Sequence, residues 1–406
     1  MGIETIYLII AVVLGFYMAW NIGANDMANS MASAVGAKAI TLKQAVIISG
    51  VLCFIGATFI GGSVTDTIKK GIIDPACVGD LEVMIKGLLA TLLAASAWIT
   101  FATWRAWPVS TTHSIVGALV GFGVFSAGIN SINWNKLAGV AISWVTSPLF
   151  AGVLAYFIFK IIYRCILSVD ESEKASIKIG PVFVGFTFFL MIISLLLKSP
   201  LGKVLELAIW QSFFIAVLGG VISLIGGYYF IKKAVKAGAK VEDIFKVLQI
   251  MTSCYIAFSI GANDVANAVG PVAGIFSILK NNTLGTKVEV PVALLAMGGV
   301  GIAIGMSTWG YRVISTVGSK ITELTNSRGF SIDFSAATSV LLASKLGMPV
   351  STTHAVIGAV CGVGLARGLD AVDFRVVKKI IISWVVTIPA SAVMCVLFFK
   401  FFMWLF

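Results

Sequence analysis

Long runs of apolar residues, separated by short polar connections, fill almost the whole chain. Each run is about 20 residues long, which is the length of an α-helix that crosses a bilayer. Strands of a transmembrane barrel would instead be about 10 residues long, with alternating apolar and polar positions. The pattern therefore predicts an all-α integral membrane protein.

The apolar runs predict about twelve membrane-embedded segments. The first and the eighth are too long to be one simple span, and the tenth is too short to cross alone. The predicted limits are 4–36, 44–62, 84–104, 108–127, 136–162, 180–197, 207–231, 247–278, 290–311, 333–346, 349–366 and 380–405.

Three short sequence words occur twice, in the same order. The first pair agrees at seven of eight positions and the second at nine of fourteen. Such self-similarity predicts two halves of similar design. The words are IGANDMAN (22–29) and IGANDVAN (260–267), PVSTTHSIVGALVG (108–121) and PVSTTHAVIGAVCG (349–362), and ISW (142–144 and 382–384).

Seven predicted crossings separate the start of the first segment from the start of the eighth, so the second half enters from the opposite side. The number of crossings stays odd if the third and fourth segments form a re-entrant hairpin, because two crossings then become none. Inverted repeats are typical of secondary transporters, whose sites lie near the midplane. We predict a first inverted repeat at 1–162, a connecting segment with two helices at 163–246 that could act as a scaffold, and a second inverted repeat at 247–406.

Two aspartates lie inside apolar segments, where a charge is costly and usually functional. Gly23 and Gly261 precede them and permit a helix break, which predicts broken helices with freed carbonyl oxygens. Carboxylate, amide and carbonyl oxygens suit Na⁺, although the carboxylates could instead carry a proton and the amides could simply join helices. The predicted sodium ligands are Asp26, Asp264, Asn29 and Asn267, next to Asn25 and Asn263.

The word PVSTTH predicts the start of a helix, because serine and threonine after a proline are good capping residues. A helix N-terminus offers free N–H groups and the positive end of the helix dipole, which favour an anion. Two such ends approaching one point would suit an oxyanion with four oxygens; the alternative is ordinary capping at a membrane surface. The candidate anion-binding residues are Ser110, Thr111, Thr112, Ser351, Thr352 and Thr353.

Four further residues flank these helix starts. His113 and His354 are the only histidines, and each ends an STTH word. They could orient hydroxyls, bond an anion, sense pH or form structural hydrogen bonds. Arg105 and Lys345 precede the caps; they would attract an anion if the hairpins are re-entrant, and are surface charges otherwise.

Composition agrees with a membrane protein. Of 406 residues, 59% are hydrophobic and 12% are charged, whereas soluble domains have about 25% charged residues. The cations behind the net charge of +11 lie mostly in loops, so they indicate membrane topology rather than nucleic-acid binding. More lysines and arginines fall on inside loops if the N-terminus is outside, so this bias favours both termini outside. The six scattered cysteines are expected to be packing residues. MGIETIYLII lacks the features of a signal peptide, so we expect the first helix to be retained.

The two GAND words and the two PVSTTH words together resemble the inorganic phosphate transporter (PiT) family of sodium- or proton-coupled phosphate symporters. Some eukaryotic members carry a large hydrophilic loop between the two halves. The connection here is only RCILSVDESEKASIKIG, so the chain resembles the prokaryotic members. The resemblance implies phosphate uptake by alternating access. It also implies ion and substrate binding by Asn25, Asp26, Asn263 and Asp264, and a phosphate site lined by the six serines and threonines.

The leading hypothesis is a Na⁺:phosphate symporter in the cell (plasma or inner) membrane, without other cofactors and possibly homodimeric. The alternative is a proton-coupled phosphate or sulfate permease. A further alternative of a different class is an anion channel, which currents without saturation or ion coupling would support. An enzyme is not expected, because nothing beyond the STTH hydroxyls and histidine supplies catalytic chemistry, and no GxxxxGK[ST] nucleotide motif is present.

Overall fold

The computed structural model describes residues 2–62, 72–197, 205–283, 290–319 and 321–406. Within these ranges the chain is almost entirely helical and contains no β-strand. In chain order the helices are α1 (Ile3–Gly36), α2 (Leu42–Ile60), α3 (Pro75–Val78), α4 (Leu81–Trp104), α5 (Thr111–Ala127), α6 (Trp134–Ile162), α7 (Ser172–Leu196), α8 (Ile209–Lys236), α9 (Val241–Asn281), α10 (Val292–Trp309), α11 (Tyr311–Ser319), α12 (Asn326–Lys345), α13 (Thr352–Arg367) and α14 (Phe374–Leu405).

Nine helices in the described part of the chain are long and apolar enough to cross a membrane. The predicted all-α membrane class is therefore confirmed. Each of the twelve predicted segments overlaps a helix, and the ninth, 290–311, also includes the first residue of α11. The number of embedded segments, the inverted repeat and the outside position of both termini remain predictions.

The tenth predicted segment was too short. It was expected at 333–346, whereas α12 begins at Asn326 and has 20 residues. The first two turns are rich in polar residues and glycine, so their hydropathy is low. Most of these residues nevertheless lie buried, Phe330 and Ser331 among them, because they pack against other helices of the protein.

The predicted breaks in the first and eighth segments were wrong. Helix α1 continues through Gly23, and α9 continues through Gly261. Both glycines serve close packing: a Cβ at Gly23 would overlap the backbone carbonyl of Ile302 in α10, and one at Gly261 would overlap that of Cys53 in α2. Since the helices are unbroken, their backbone carbonyls are not freed for a cation.

Two helical hairpins turn back against the middle of the long helices. Helices α4 and α5 are joined by residues 105–110, and α12 and α13 by residues 346–351. The first connection bonds to Asn25, which lies well inside α1, and the second bonds to Asn263, well inside α9. This is the geometry expected of re-entrant hairpins.

Helices α7 and α8 form an antiparallel pair at the edge of the bundle. They approach closely at Gly185 and Gly220, where a Cβ on Gly185 would lie 2.8 Å from the Gly220 carbonyl oxygen. The outer face of α8 exposes large apolar side chains such as Trp210 and Phe214. A membrane or another subunit would cover this face; the scaffold role and the homodimer remain predictions.

We expect Gly23→Ala to destabilise the protein, because the added methyl group would have to displace the backbone of α10. Overpacking of this kind typically costs about 1–3 kcal/mol. The matched control is Gly226→Ala in α8, where a Cβ meets no atom within 4 Å. Thermal melting of the purified protein in detergent measures both, and equal melting temperatures would contradict the close contact between α1 and α10.

Candidate functional site

Two buried carboxylates lie at the centre of the bundle. Asp26 of α1 and Asp264 of α9 are both fully buried, and they lie close enough for the charge of Asp264 to act on Asp26. In the described part of the chain neither carboxylate forms an ion pair with a lysine or an arginine. Removing a carboxylate from water costs several kcal/mol, so hydrogen bonds or a bound cation must offset this cost.

Each oxygen of Asp26 accepts a hydrogen bond. Asn29 donates from Nδ2 to Oδ1 over 2.8 Å, and Thr111 donates from Oγ1 to Oδ2 over 3.1 Å. The second donor belongs to the first residue of α5. The carboxylate thus joins the middle of α1 to the start of the first hairpin helix.

Asp264 has a corresponding pair of donors. Asn263 donates from Nδ2 to Oδ1 over 2.7 Å, and Thr352 donates from Oγ1 to Oδ2 over 3.0 Å. Thr352 begins α13 as Thr111 begins α5. Because both oxygens of each acid accept, the arrangement fits ionised carboxylates, which accept and do not donate.

Contacts between the two halves tie the hairpins together. Asn29 of α1 donates to Thr353 Oγ1 of α13 over 2.8 Å. Conversely, Asn267 of α9 donates to Thr111 Oγ1 and Thr112 Oγ1 of α5, over 3.3 and 3.2 Å. Both amide oxygens, Asn29 Oδ1 and Asn267 Oδ1, are buried and accept no hydrogen bond in the described structure. They are therefore acceptors available to a cation.

The two PVSTTH words begin helices, as predicted. Ser110 caps α5 by accepting from the His113 backbone N–H over 3.1 Å, and Ser351 caps α13 by accepting from that of His354 over 3.2 Å. The first N–H groups of each helix have no acceptor within it. Since the starts of α5 and α13 meet in the bundle, their unpaired donors and positive dipole ends favour an anion there.

Cross-bonds hold the two helix starts at a fixed spacing. Thr112 Oγ1 donates to the Val350 carbonyl over 3.0 Å, and Thr353 Oγ1 donates to the Val109 carbonyl over 3.1 Å. Each threonine therefore reaches the connection of the opposite hairpin. The six predicted serine and threonine side chains are brought together with both acids.

Asn25 and Asn263 hold the hairpin connections. Asn25 donates to Thr103 Oγ1 and the Trp107 carbonyl over 2.9 and 3.0 Å, and accepts from the Val109 N–H over 3.2 Å. Asn263 donates to the Val350 carbonyl over 2.9 Å in addition to its bond with Asp264. These contacts occupy the amide groups, so the geometry favours positioning over direct contact with an anion.

The four flanking residues differ in where they lie. His113 and His354 are buried, with ring centroids 4.5 Å apart. Arg105 is exposed and its guanidinium lies 5.5 Å from the Trp107 ring centroid. Lys345 donates from Nζ to the Leu197 carbonyl over 2.6 Å. The contacts of these two cations lie outside the network of carboxylates, amides and hydroxyls.

One carboxylate was missed by the sequence analysis. Asp333 of α12 is buried and accepts from Ser33 Oγ and Ser253 Oγ, each over 2.6 Å. The amide of Gln249 is also buried and has no hydrogen-bond partner in the described structure; it packs against Gly329, one turn before Asp333. The available signal was an acid between serines and apolar residues (SIDFS, 331–335), but the tenth segment was predicted to begin at residue 333, so Asp333 stood at its edge rather than inside it.

The chain is similar to known proteins over most of its length. A sequence model described as the phosphate transporter family matches residues 22–395. A protein of Pyrococcus abyssi named "Putative phosphate permease" is 50% identical over 399 residues, covering 97% of both chains. A chloroplastic inorganic phosphate transporter of Arabidopsis thaliana is 41% identical, covering 95% of this chain and 70% of the relative.

A solved structure is also similar. It is titled "The sodium-dependent phosphate transporter" and has 43% sequence identity with this chain and a TM-score of 0.93. The alignment covers 98% of this chain and 100% of the other.

We expect Asn25→Ala to lower the melting temperature in the absence of any ligand, because the change leaves the Val109 N–H and the Trp107 carbonyl unpaired. A buried group without its partner costs about 1–3 kcal/mol. The control is Asn130→Ala, at an exposed position. If Asn25→Ala melts like the control, Asn25 does not hold the hairpin.

Proposed function

This chain belongs to the phosphate transporter family, and from that premise we propose that it imports inorganic phosphate together with Na⁺ by alternating access. Family and fold indicate a transporter rather than an enzyme. The observation that carries the proposal is that two buried acids, without a lysine or arginine partner among the described residues, meet two helix N-termini. One set attracts cations and the other an anion.

The cation sites would use oxygens already present around the acids. Asp26 and Asp264 supply carboxylates, and Asn29 and Asn267 supply buried amide oxygens that accept no hydrogen bond from the described residues. Oxygen ligands of this kind suit a hard cation such as Na⁺. Each carboxylate oxygen accepts one hydrogen bond and keeps a second lone pair that a metal cation could use.

The anion site would lie between the starts of α5 and α13. The first backbone N–H groups of each helix supply donors from two sides, because the four threonine hydroxyls already donate to protein acceptors. Tetrahedral phosphate has four oxygens and can accept from both helix starts at once. Ser110 and Ser351 contribute by capping these helices, so their role is to orient the donors.

Coupling follows from charge. Two like charges 4 Å apart repel by about 4 kcal/mol at an effective dielectric constant of about 20, so phosphate beside two bare carboxylates is strongly disfavoured. Sodium bound at Asp26 and Asp264 removes this repulsion, and phosphate in turn favours sodium. Movement of one half against the other would then expose the loaded site to the opposite side.

The alternative is a proton-coupled phosphate or sulfate permease, in which the same acids carry protons. Direct measurement separates the two. In liposomes containing the purified protein, we expect uptake of labelled phosphate to require an inward Na⁺ gradient and to fall to background when K⁺ replaces Na⁺ at fixed pH. Excess unlabelled sulfate should leave uptake unchanged. Uptake that follows a pH gradient and ignores Na⁺ would contradict sodium coupling, and strong inhibition by sulfate would contradict phosphate selectivity.

We expect the double variant Asp26→Asn, Asp264→Asn to lose Na⁺-stimulated phosphate uptake, because it removes both negative charges that attract the cation. The matched control is Asp370→Asn, at an exposed position, which should transport normally. Monodisperse elution of the double variant shows that it is folded. Normal Na⁺-dependent uptake by a folded double variant would disprove the assignment of these acids to the cation site.

A further inference from the structure

Four aromatic side chains lie in a row beside the two helix starts, and the ISW and STTH words supply all of them. The ring centroid of His113 lies 3.9 Å from that of Trp144 and 4.5 Å from that of His354. His354 in turn stacks on Trp384 at 3.6 Å. The proposed transport mechanism uses none of these four side chains directly.

Each histidine also makes a polar contact with the opposite half of the protein. His354 of α13 places Nδ1 3.0 Å from the Trp144 carbonyl oxygen of α6. His113 of α5 places Nδ1 3.4 Å from the Trp384 carbonyl oxygen of α14. A carbonyl only accepts hydrogen bonds, so Nδ1 must carry the proton in these contacts. In the described structure both Nε2 atoms are buried without a partner.

The sequence explains why the two contacts differ in length. Residue 148, four positions after Trp144, is a proline inside α6. In an α-helix the Trp144 carbonyl would accept from the N–H of residue 148, but proline has no N–H. This carbonyl is therefore open to a hydrogen bond from His354. In α14 the proline stands five positions after Trp384, at residue 389. The residue four positions after Trp384 is Ile388, which does have an N–H, and the His113 contact is correspondingly longer.

His354 links this freed carbonyl to the capped helix start. Its ring contacts α6, while its backbone N–H donates to the capping Ser351 Oγ over 3.2 Å. One turn further on, Gly358 lies so close to α6 that a Cβ would overlap the Pro148 carbonyl. The start of α13 is therefore fixed to α6 by a hydrogen bond and by close backbone packing.

We propose that His354 is a positioning residue for the anion site: its Nδ1–H, bound to the Trp144 carbonyl that Pro148 leaves free, holds the start of α13 at the spacing that phosphate requires. His113 is its weaker counterpart on α5. This inference rests on the proposed function. It assigns no proton transfer and no direct phosphate contact to either ring.

Two substitutions at one position test which ring nitrogen matters. The amide nitrogen of asparagine reaches the place of Nδ1, whereas that of glutamine reaches the place of Nε2. We expect His354→Asn to keep the KM for phosphate within about twofold of the wild-type value. We expect His354→Gln to raise KM by about five- to tenfold, the size of one lost hydrogen bond, with Vmax and Na⁺ dependence nearly unchanged. Labelled phosphate uptake into liposomes gives all three quantities.

A second pair of variants reaches the same contact from the other helix. Pro148→Ala restores an N–H that competes for the Trp144 carbonyl, so we expect KM to rise by about three- to fivefold. Pro389→Ala is the matched control, because the carbonyl four residues before it belongs to Val385, to which neither histidine bonds. This variant should keep the wild-type KM.

The outcomes distinguish failure of the proposed function from failure of the positioning role of His354. No phosphate uptake by the wild-type protein overturns the proposed function and the positioning role with it. Normal wild-type uptake with equal KM values in His354→Asn and His354→Gln overturns the positioning role alone, as does better function of the glutamine variant, which would indicate a role for Nε2. If His354→Gln does not fold, Pro148→Ala decides, and an unchanged KM there overturns the proposal.

Discussion

The rest of this structure depends on two buried carboxylates that have no basic partner among the described residues. Asp26 and Asp264 could be kept out of water only if their lost hydration were replaced. Four hydrogen-bond donors supply part of the compensation, and two of these are the first threonines of α5 and α13. The acids thereby hold the first residues of the two hairpin helices in place. The first N–H groups of both helices then lie near the acids, so the groups that attract a cation and those that attract an anion share one position in the fold.

The same network makes the proposed anion site a property of both halves together. Asn29 bonds to a hairpin threonine of the second half, Asn267 bonds to two of the first, and Thr112 and Thr353 reach the opposite hairpin connections. Neither half alone completes the cage. A displacement between the halves would have to break these side-chain hydrogen bonds. Because they lie between helices, the buried site could open in this way without unfolding any helix.

The sequence predicted the membrane class, the helix starts at PVSTTH and the residues that meet at the centre, because each leaves a local pattern: apolar length, capping residues, or an acid among apolar residues. The continuity of α1 and α9 was not predictable in the same way. A glycine before an acid looks alike whether it breaks a helix or admits a neighbouring backbone, and only the position of Ile302 or Cys53 decides. Likewise, the true start of α12 was hidden because its polar turns are buried against protein, which hydropathy cannot distinguish from exposure to water.

Asp333 shows that the two ends of the site are chemically different. It bonds to Ser33, which follows Asp26 by seven residues in α1, and to Ser253, which precedes Asp264 by eleven residues in α9. One side chain can reach both only if α1 and α9 run in opposite directions, which is the orientation that an inverted repeat requires. The PVSTTH words are 241 residues apart, and at this offset the first half carries Leu92 in place of Asp333. In the described part of the chain, the carboxylate of Asp333 therefore has no counterpart at position 92, and this difference distinguishes the two sides of the central pair of acids.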